Sequence, residues 1–212
     1  HFEQWRISMH AFATKDPIFQ AMNKKGIENT DGRLNQFCVQ CHAPNASLRD
    51  QLPVVEKDGR FTMELDMTNP VISEGVQCTT CHRIEAVLAT QNANISLSDT
   101  TFYGAGTSAA AQAAHPMEAS PLFSDPAQKS ILCGSCHDVL NPNGVRLDST
   151  FSAWYANSYN NPGTPNHRTC QDCHMPTYLG RITRDGPEKM LHSHTFVGVY
   201  QALSPNFPGR PE

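Results

Sequence analysis

The sequence predicts a mostly irregular fold with short α-helices and little or no β-sheet. Fifteen prolines and thirteen glycines interrupt its 212 residues, and this frequency favours short helices joined by long irregular segments. The apolar runs at 84–89 and 196–203 are far shorter than the roughly 20 residues that cross a bilayer, so we expect no membrane span. Because the composition shows no clear shift along the chain, we expect a single domain over residues 1–212.

Local capping signals predict where several helices begin. An Asp or Asn followed by Pro stands at 16–17, 69–70 and 125–126, and Asp148 precedes a further helical segment. Such a side chain caps the first turn of a helix, and Pro is favoured directly after it. We expect the first of these helices to stop at Gly26. The alternating residues at 94–104 predict one small hairpin.

All eight cysteines occur in four copies of one pattern, Cys-x-x-Cys-His. The copies are Cys38 and Cys41 with His42, Cys78 and Cys81 with His82, Cys133 and Cys136 with His137, and Cys170 and Cys173 with His174. Two thiols at this spacing can bond the two vinyl groups of one haem, and the adjacent histidine then reaches the iron. The pattern therefore predicts four covalently attached haem c groups.

Three other uses of cysteine fit this pattern less well. A disulfide framework would not place every cysteine in a Cys-x-x-Cys pair. A structural zinc site does not need a histidine after every pair, and a redox dithiol does not need four copies. Four porphyrins on a chain of this length also supply apolar surface that side chains can bury. We therefore expect the haems to form the core.

A six-coordinate haem iron needs a second axial ligand besides the motif histidine. The histidines outside the motifs are His1, His10, His115, His167, His192 and His194. We expect His10, His115 and His194 to be ligands, with the fourth supplied by His167 or His192, and His1 not to bind iron. An exposed or hydrogen-bonded ring is the alternative for each. Seven methionines are also present, but we expect mainly bis-histidine ligation.

The charge balance excludes one class of partner. The sequence contains sixteen basic and twenty acidic residues, with a formal net charge of −4, and no block of Lys or Arg stands out. A protein that binds nucleic acid normally carries a basic patch that matches the phosphate backbone. We therefore expect no nucleic-acid partner.

Four segments resemble the multihaem c-type cytochromes of respiratory electron export. They are the third and fourth motifs with their flanks at 132–138 and 169–176, and the segments 5–11 and 193–198, which contain His10 and His194. The resemblance implies electron transfer. The family that the segments resemble includes tetrahaem subunits of extracellular filaments. In such filaments a subunit can lend a histidine to a haem of the next subunit. The implied partners are further copies of the chain, other redox proteins or extracellular electron acceptors.

The site of haem attachment and the resemblance together predict an exported protein. Haem is bonded to Cys-x-x-Cys-His outside the cytoplasm, so we expect a cleaved signal peptide and an extracellular or periplasmic location.

Three alternatives to a filament subunit stay open. A soluble periplasmic shuttle is the first alternative function. A multihaem reductase with one open iron position is the second, and a subunit whose haems mainly serve assembly is the third. Every Cys-x-x-Cys here is followed by His, which favours electron transfer over enzyme chemistry.

Overall fold

The computed structural model describes residues 1–106, 109, 113, 116–181 and 186–198. The described chain forms two compact units. Unit 1 comprises residues 1–80 with Gly198, and unit 2 comprises residues 81–197. The single-domain interpretation stays a prediction.

Unit 1 consists mainly of short helices. Its elements are α1 (Phe2–Trp5), α2 (Met9–Phe12), α3 (Pro17–Asn29), α4 (Val39–His42), α5 (Pro44–Ser47), β1 (Val54–Lys57), β2 (Arg60–Met63), α6 (Pro70–Ser73) and the start of α7 (Cys78–His82). Its core contains Phe19 and Ile27 of α3, Val39 of the first haem motif, and Leu52. Because Val39 lies inside the motif and is fully buried, the core anchors the first Cys-x-x-Cys-His turn.

Helix α3 confirms the predicted start but not the predicted end. The Asp16 carboxylate accepts a hydrogen bond from the Ile18 N–H at 3.0 Å, and Pro17 follows the cap. The expectation that the helix stops at Gly26 is wrong, since α3 continues to Asn29. A Cβ at Gly26 would lie 2.6 Å from Cδ2 of Leu34. This glycine therefore serves close packing on the helix surface rather than helix termination.

Unit 2 combines short helices with short strands. Its elements are the end of α7, β3 (Ile84–Val87), β4 (Ile95–Leu97), β5 (Phe102–Gly104), β6 (Met117–Ala119), α8 (Pro121–Ser124), α9 (Lys129–Gly134), β7 (Val139–Leu140), β8 (Arg146–Asp148), α10 (Thr150–Tyr155), a 3₁₀ turn (Ser158–Asn160), α11 (Cys170–His174), β9 (Thr177–Arg181) and β10 (Glu188–His192). None of the helices within the described ranges is long and apolar enough to cross a membrane.

The strands of the described residues pair only two by two. The pairs are β1 with β2, β3 with β4, β5 with β6, β7 with β8 and β9 with β10. The predicted hairpin at 94–104 is wrong, because β4 pairs antiparallel with β3 and β5 pairs parallel with β6. Alternating polarity indicates a strand but carries no information on its partner.

A buried aspartate directly after the third motif organises part of unit 2. Asp138 is 2% exposed. Its carboxylate accepts a hydrogen bond from the Ser152 N–H at 2.9 Å and contacts the Ser152 hydroxyl and the Arg146 guanidinium. The Phe151 N–H donates to the His137 carbonyl at 2.9 Å. These bonds tie the start of α10 to the third motif.

Replacing Asp138 by alanine is expected to lower the free energy of unfolding of unit 2 by about 2–3 kcal/mol, because the partly buried donors of Ser152 and Arg146 lose a buried, charged acceptor. The matched control is Asp125→Ala. It removes a half-buried carboxylate that accepts from the Ala127 N–H at 2.9 Å and from the Gln128 side chain at 3.0 Å and should cost about 1 kcal/mol. Urea unfolding followed by circular dichroism measures both. Equal losses of unfolding free energy in the two variants would show that the hydrogen bonds of Asp138 stabilise unit 2 no more than an ordinary helix cap does.

Candidate haem-binding sites

Each Cys-x-x-Cys-His motif lies on a helical turn. The first, second and fourth motifs lie on α4 with its N-terminal flank, on α7 and on α11. The third begins in α9, and the His137 N–H continues the turn by donating to the Cys133 carbonyl at 3.0 Å. Residues three apart share one face of a helix, so each pair of thiols can reach the same ring. All eight cysteines are thiols in this structure, and each sulfur is the atom that would form a thioether with a haem.

Three motif histidines are oriented by backbone carbonyls through Nδ1. The acceptors are Ala13 O for His42 at 3.1 Å, Tyr103 O for His82 at 2.8 Å and Val197 O for His174 at 2.6 Å. A carbonyl only accepts, so Nδ1 carries the hydrogen and Nε2 carries the lone pair. Histidines that bind metals are commonly held in this way. The three rings therefore fit iron ligation through Nε2.

Aromatic rings pack on two of these histidines. Phe19 of α3 is stacked on His42 with ring centres 4.1 Å apart, and Phe123 of α8 is stacked on His82 at 5.0 Å. The Thr14 hydroxyl also donates to the His42 carbonyl at 2.7 Å. Sequence reasoning did not find these supporting residues, because nothing local to them indicates a distant motif.

Among the candidate distal ligands, His192 and His194 show the same ring orientation. The His192 Nδ1 donates to the Met175 carbonyl at 2.8 Å, and the His194 Nδ1 donates to the His192 carbonyl at 3.1 Å. His167 differs, because its Nε2 is buried without a hydrogen-bond partner among the described residues. A buried polar atom of this kind is costly unless another group satisfies it. An iron atom would do so, and His167 therefore also fits the ligand role.

The remaining histidines outside the motifs are His10, His1 and His115. His10 lies in α2 of unit 1, and its carbonyl accepts from the Val76 N–H at 2.9 Å. His1 is exposed. His115 lies outside the described residues, so its predicted role stays a prediction.

Burial keeps several of the rings in unit 2 neutral. Removal from water lowers the pKa of His82 and of His137, because the charged imidazolium loses solvation. Burial, with a smaller contribution from neighbouring His82, lowers the pKa of His194 to about 4. Neutral imidazole is the form that binds a metal ion, so these environments suit ligation.

The third and fourth motifs meet at their cysteines. The Cys133 thiol donates a hydrogen bond to Cys170, which lowers the pKa of Cys170 to about 6 and raises that of Cys133. The Cys170 N–H donates to the Ser130 hydroxyl at 3.0 Å, and the Gln171 side chain donates to the Lys129 carbonyl at 2.6 Å. These contacts join α11 to α9 and place two attachment sulfurs side by side.

The first part of the chain matches a known protein family. Residues 1–83 match the family model described as cytochrome c554 and c-prime. This supports a c-type cytochrome family. The matched segment contains the first and second motifs, and residues 84–212 lie outside it. Comparisons with the curated proteins and with the solved structures found no match.

A c-type cytochrome family implies haem c as the cofactor and suggests electron transfer as the activity. Such proteins are usually periplasmic or extracellular. These statements agree with the chemistry of the motif residues, whose thiols and Nε2 atoms are the groups that haem c requires.

Proposed function

We propose that the chain is a tetrahaem electron-transfer protein rather than an enzyme. Four haem c groups would be attached through Cys38 and Cys41, Cys78 and Cys81, Cys133 and Cys136, and Cys170 and Cys173. When bound, a haem supplies an iron that alternates between its ferric and ferrous states. The protein attaches each ring, supplies axial imidazoles and controls burial and nearby charge.

The contact between α9, which contains Cys133, and α11, which contains Cys170, is the observation that carries the proposal. The Cys170 N–H donates to the Ser130 hydroxyl at 3.0 Å, and the Gln171 side-chain nitrogen lies 3.7 Å from the Cys133 sulfur. Haems attached to these two neighbouring motifs would have ring edges close to each other, and electron exchange between haems requires such proximity. The arrangement supports a conduit through unit 2.

The axial histidines support electron transfer without an open iron position. His42, His82 and His174 have Nδ1 bound to carbonyls, and His192 and His194 repeat this orientation. Together with His137, His10 and His115 they would fill the eight positions on four irons, with His167 as the alternative to His192. Two imidazoles on each iron leave no coordination site for a substrate.

We also propose that the haems supply much of the core of the loaded protein. Leu179 and Met190 are direct partners on the β9–β10 ladder and are 63% and 60% exposed. His192 lies two residues from Met190, on the same face of the ladder. A ring ligated by His192 would cover this apolar pair, which would otherwise face water.

Haem count and spin state test the proposed function. The pyridine haemochrome assay is expected to give four haems per chain. The electron paramagnetic resonance spectrum of the ferric protein should show only six-coordinate, low-spin iron, since every iron has two imidazoles. A stoichiometric high-spin signal, or carbon monoxide binding to one reduced iron, would favour the reductase alternative. Fewer than four haems would contradict the tetrahaem assignment.

For the assembly, we propose a subunit of an extracellular homopolymeric filament that carries respiratory electrons to external acceptors. The resemblance at 5–11, 132–138, 169–176 and 193–198 supports it. The six histidines outside the motifs exceed the four distal positions, which permits a ligand to be lent between subunits. Negative-stain microscopy of the purified protein should show long uniform fibres. Discrete particles would instead favour the periplasmic shuttle.

A further inference from the structure

We propose that His82 and His194 are the two axial ligands of one iron, that of the haem attached to Cys78 and Cys81. This assignment rests on the proposed function, because it specifies the ligand pair of one of its four haems. His82 ends α7 directly after the second Cys-x-x-Cys, and His194 follows β10 by two residues. The two histidines are 112 positions apart in the sequence, so no local pattern predicts the pairing.

The distance between the two rings is the first argument. Their centres lie 6.2 Å apart, with planes inclined by 26°. Two imidazoles that bind one metal through Nε2, with metal–nitrogen bonds of about 2 Å each, have ring centres about 6 Å apart. The observed separation therefore equals that of an axial pair.

The hydrogen bonds are the second argument. The His82 Nδ1 donates to the Tyr103 carbonyl at 2.8 Å, and the His194 Nδ1 donates to the His192 carbonyl at 3.1 Å. Both rings therefore present Nε2, which carries the lone pair, as the ligand atom.

The surroundings of the rings are the third argument. Phe123 is stacked on His82, and Phe196 meets His194 edge to face at 5.9 Å. Phe196 has a φ of 52°, a left-handed conformation that costs a bulky residue about 1–2 kcal/mol. Strain of this kind persists where the surrounding structure imposes it and is often associated with function. Here it belongs to the turn that presents His194.

The test counts high-spin irons in two haem backgrounds of the full chain. In the four-haem protein, His194→Ala is expected to make one iron high-spin. In the variant Cys78→Ala with Cys81→Ala, which lacks the proposed partner haem, His194→Ala should add no high-spin iron. The matched control is His174→Ala, the motif histidine of a different haem, which should produce one high-spin iron in both backgrounds.

Each outcome separates the pairing from the proposed function. A high-spin iron from His194→Ala in the three-haem background would assign His194 to another haem and overturn the pair. No high-spin iron in the four-haem background would also overturn it. A parent protein without four low-spin haems would instead contradict the proposed function. If the three-haem chain does not fold, a crystal structure of the four-haem protein decides directly, since both Nε2 atoms should lie about 2 Å from one iron.

Discussion

Replacing Cys170 and Cys173 by alanine is expected to remove one haem of four and to loosen the packing of unit 2. The Cys170 sulfur contacts Cys133, and its N–H donates to the Ser130 hydroxyl at 3.0 Å. A ring attached there would pack against the neighbouring haem site and α9. Its loss leaves a cavity far larger than that of a truncated side chain, so we expect unit 2 to lose more than about 3 kcal/mol of stability.

The haemochrome assay and limited proteolysis measure the two effects. The haem count should fall from four to three, and new cleavage sites should appear within residues 81–197. The matched control is Cys38→Ala with Cys41→Ala, which also removes one haem but should expose cleavage sites within residues 1–80. An unchanged haem count, or a cleavage pattern like that of the parent protein, would contradict the proposed role of the fourth motif.

Replacing Gly75 by alanine is expected to lower the free energy of unfolding of unit 1 by about 3 kcal/mol or more. Gly75 has a φ of 62°, and a Cβ there would lie 2.4 Å from the His10 carbonyl oxygen and 3.1 Å from the Ala13 nitrogen. Both neighbours are backbone atoms, so the segment of α2 must move. The Ala13 carbonyl accepts from His42, and the shift should therefore disturb the first haem as well.

Gly59 provides the matched control for this variant. Its φ is 74°, similar to that of Gly75, but nothing lies within 4 Å of a Cβ built there. Gly59→Ala should therefore show only the conformational cost, about 1 kcal/mol. Urea unfolding and the absorbance of the first haem measure both variants. Equal losses of stability would show that the steric clash of a Cβ at Gly75 with α2 does not contribute to the destabilisation.

Several features of the fold could be predicted from the sequence, because their causes are local. The Asp16 cap and Pro17 begin α3 as expected, and the Asn69 side chain accepts from the Val71 N–H at 3.0 Å at the start of α6. The end of α3 could not be predicted, since Gly26 is retained in the helix by packing against Leu34. The partners of β4 and β5 are β3 and β6, and alternating polarity does not select one neighbouring strand over another.

The sequence by itself predicts the attachment chemistry of this protein. A Cys-x-x-Cys-His motif brings together two thiols and an imidazole within one helical turn, so four copies indicate four haem sites without any knowledge of the fold. Only the tertiary structure decided how these sites are completed. The carbonyls that orient His42, His82 and His174 lie 29, 21 and 23 residues away along the chain. The contact between Cys133 and Cys170 is likewise non-local. Covalent attachment depends on neighbours in sequence, whereas hydrogen-bond partners and ring contacts depend on which segments the folded chain brings together.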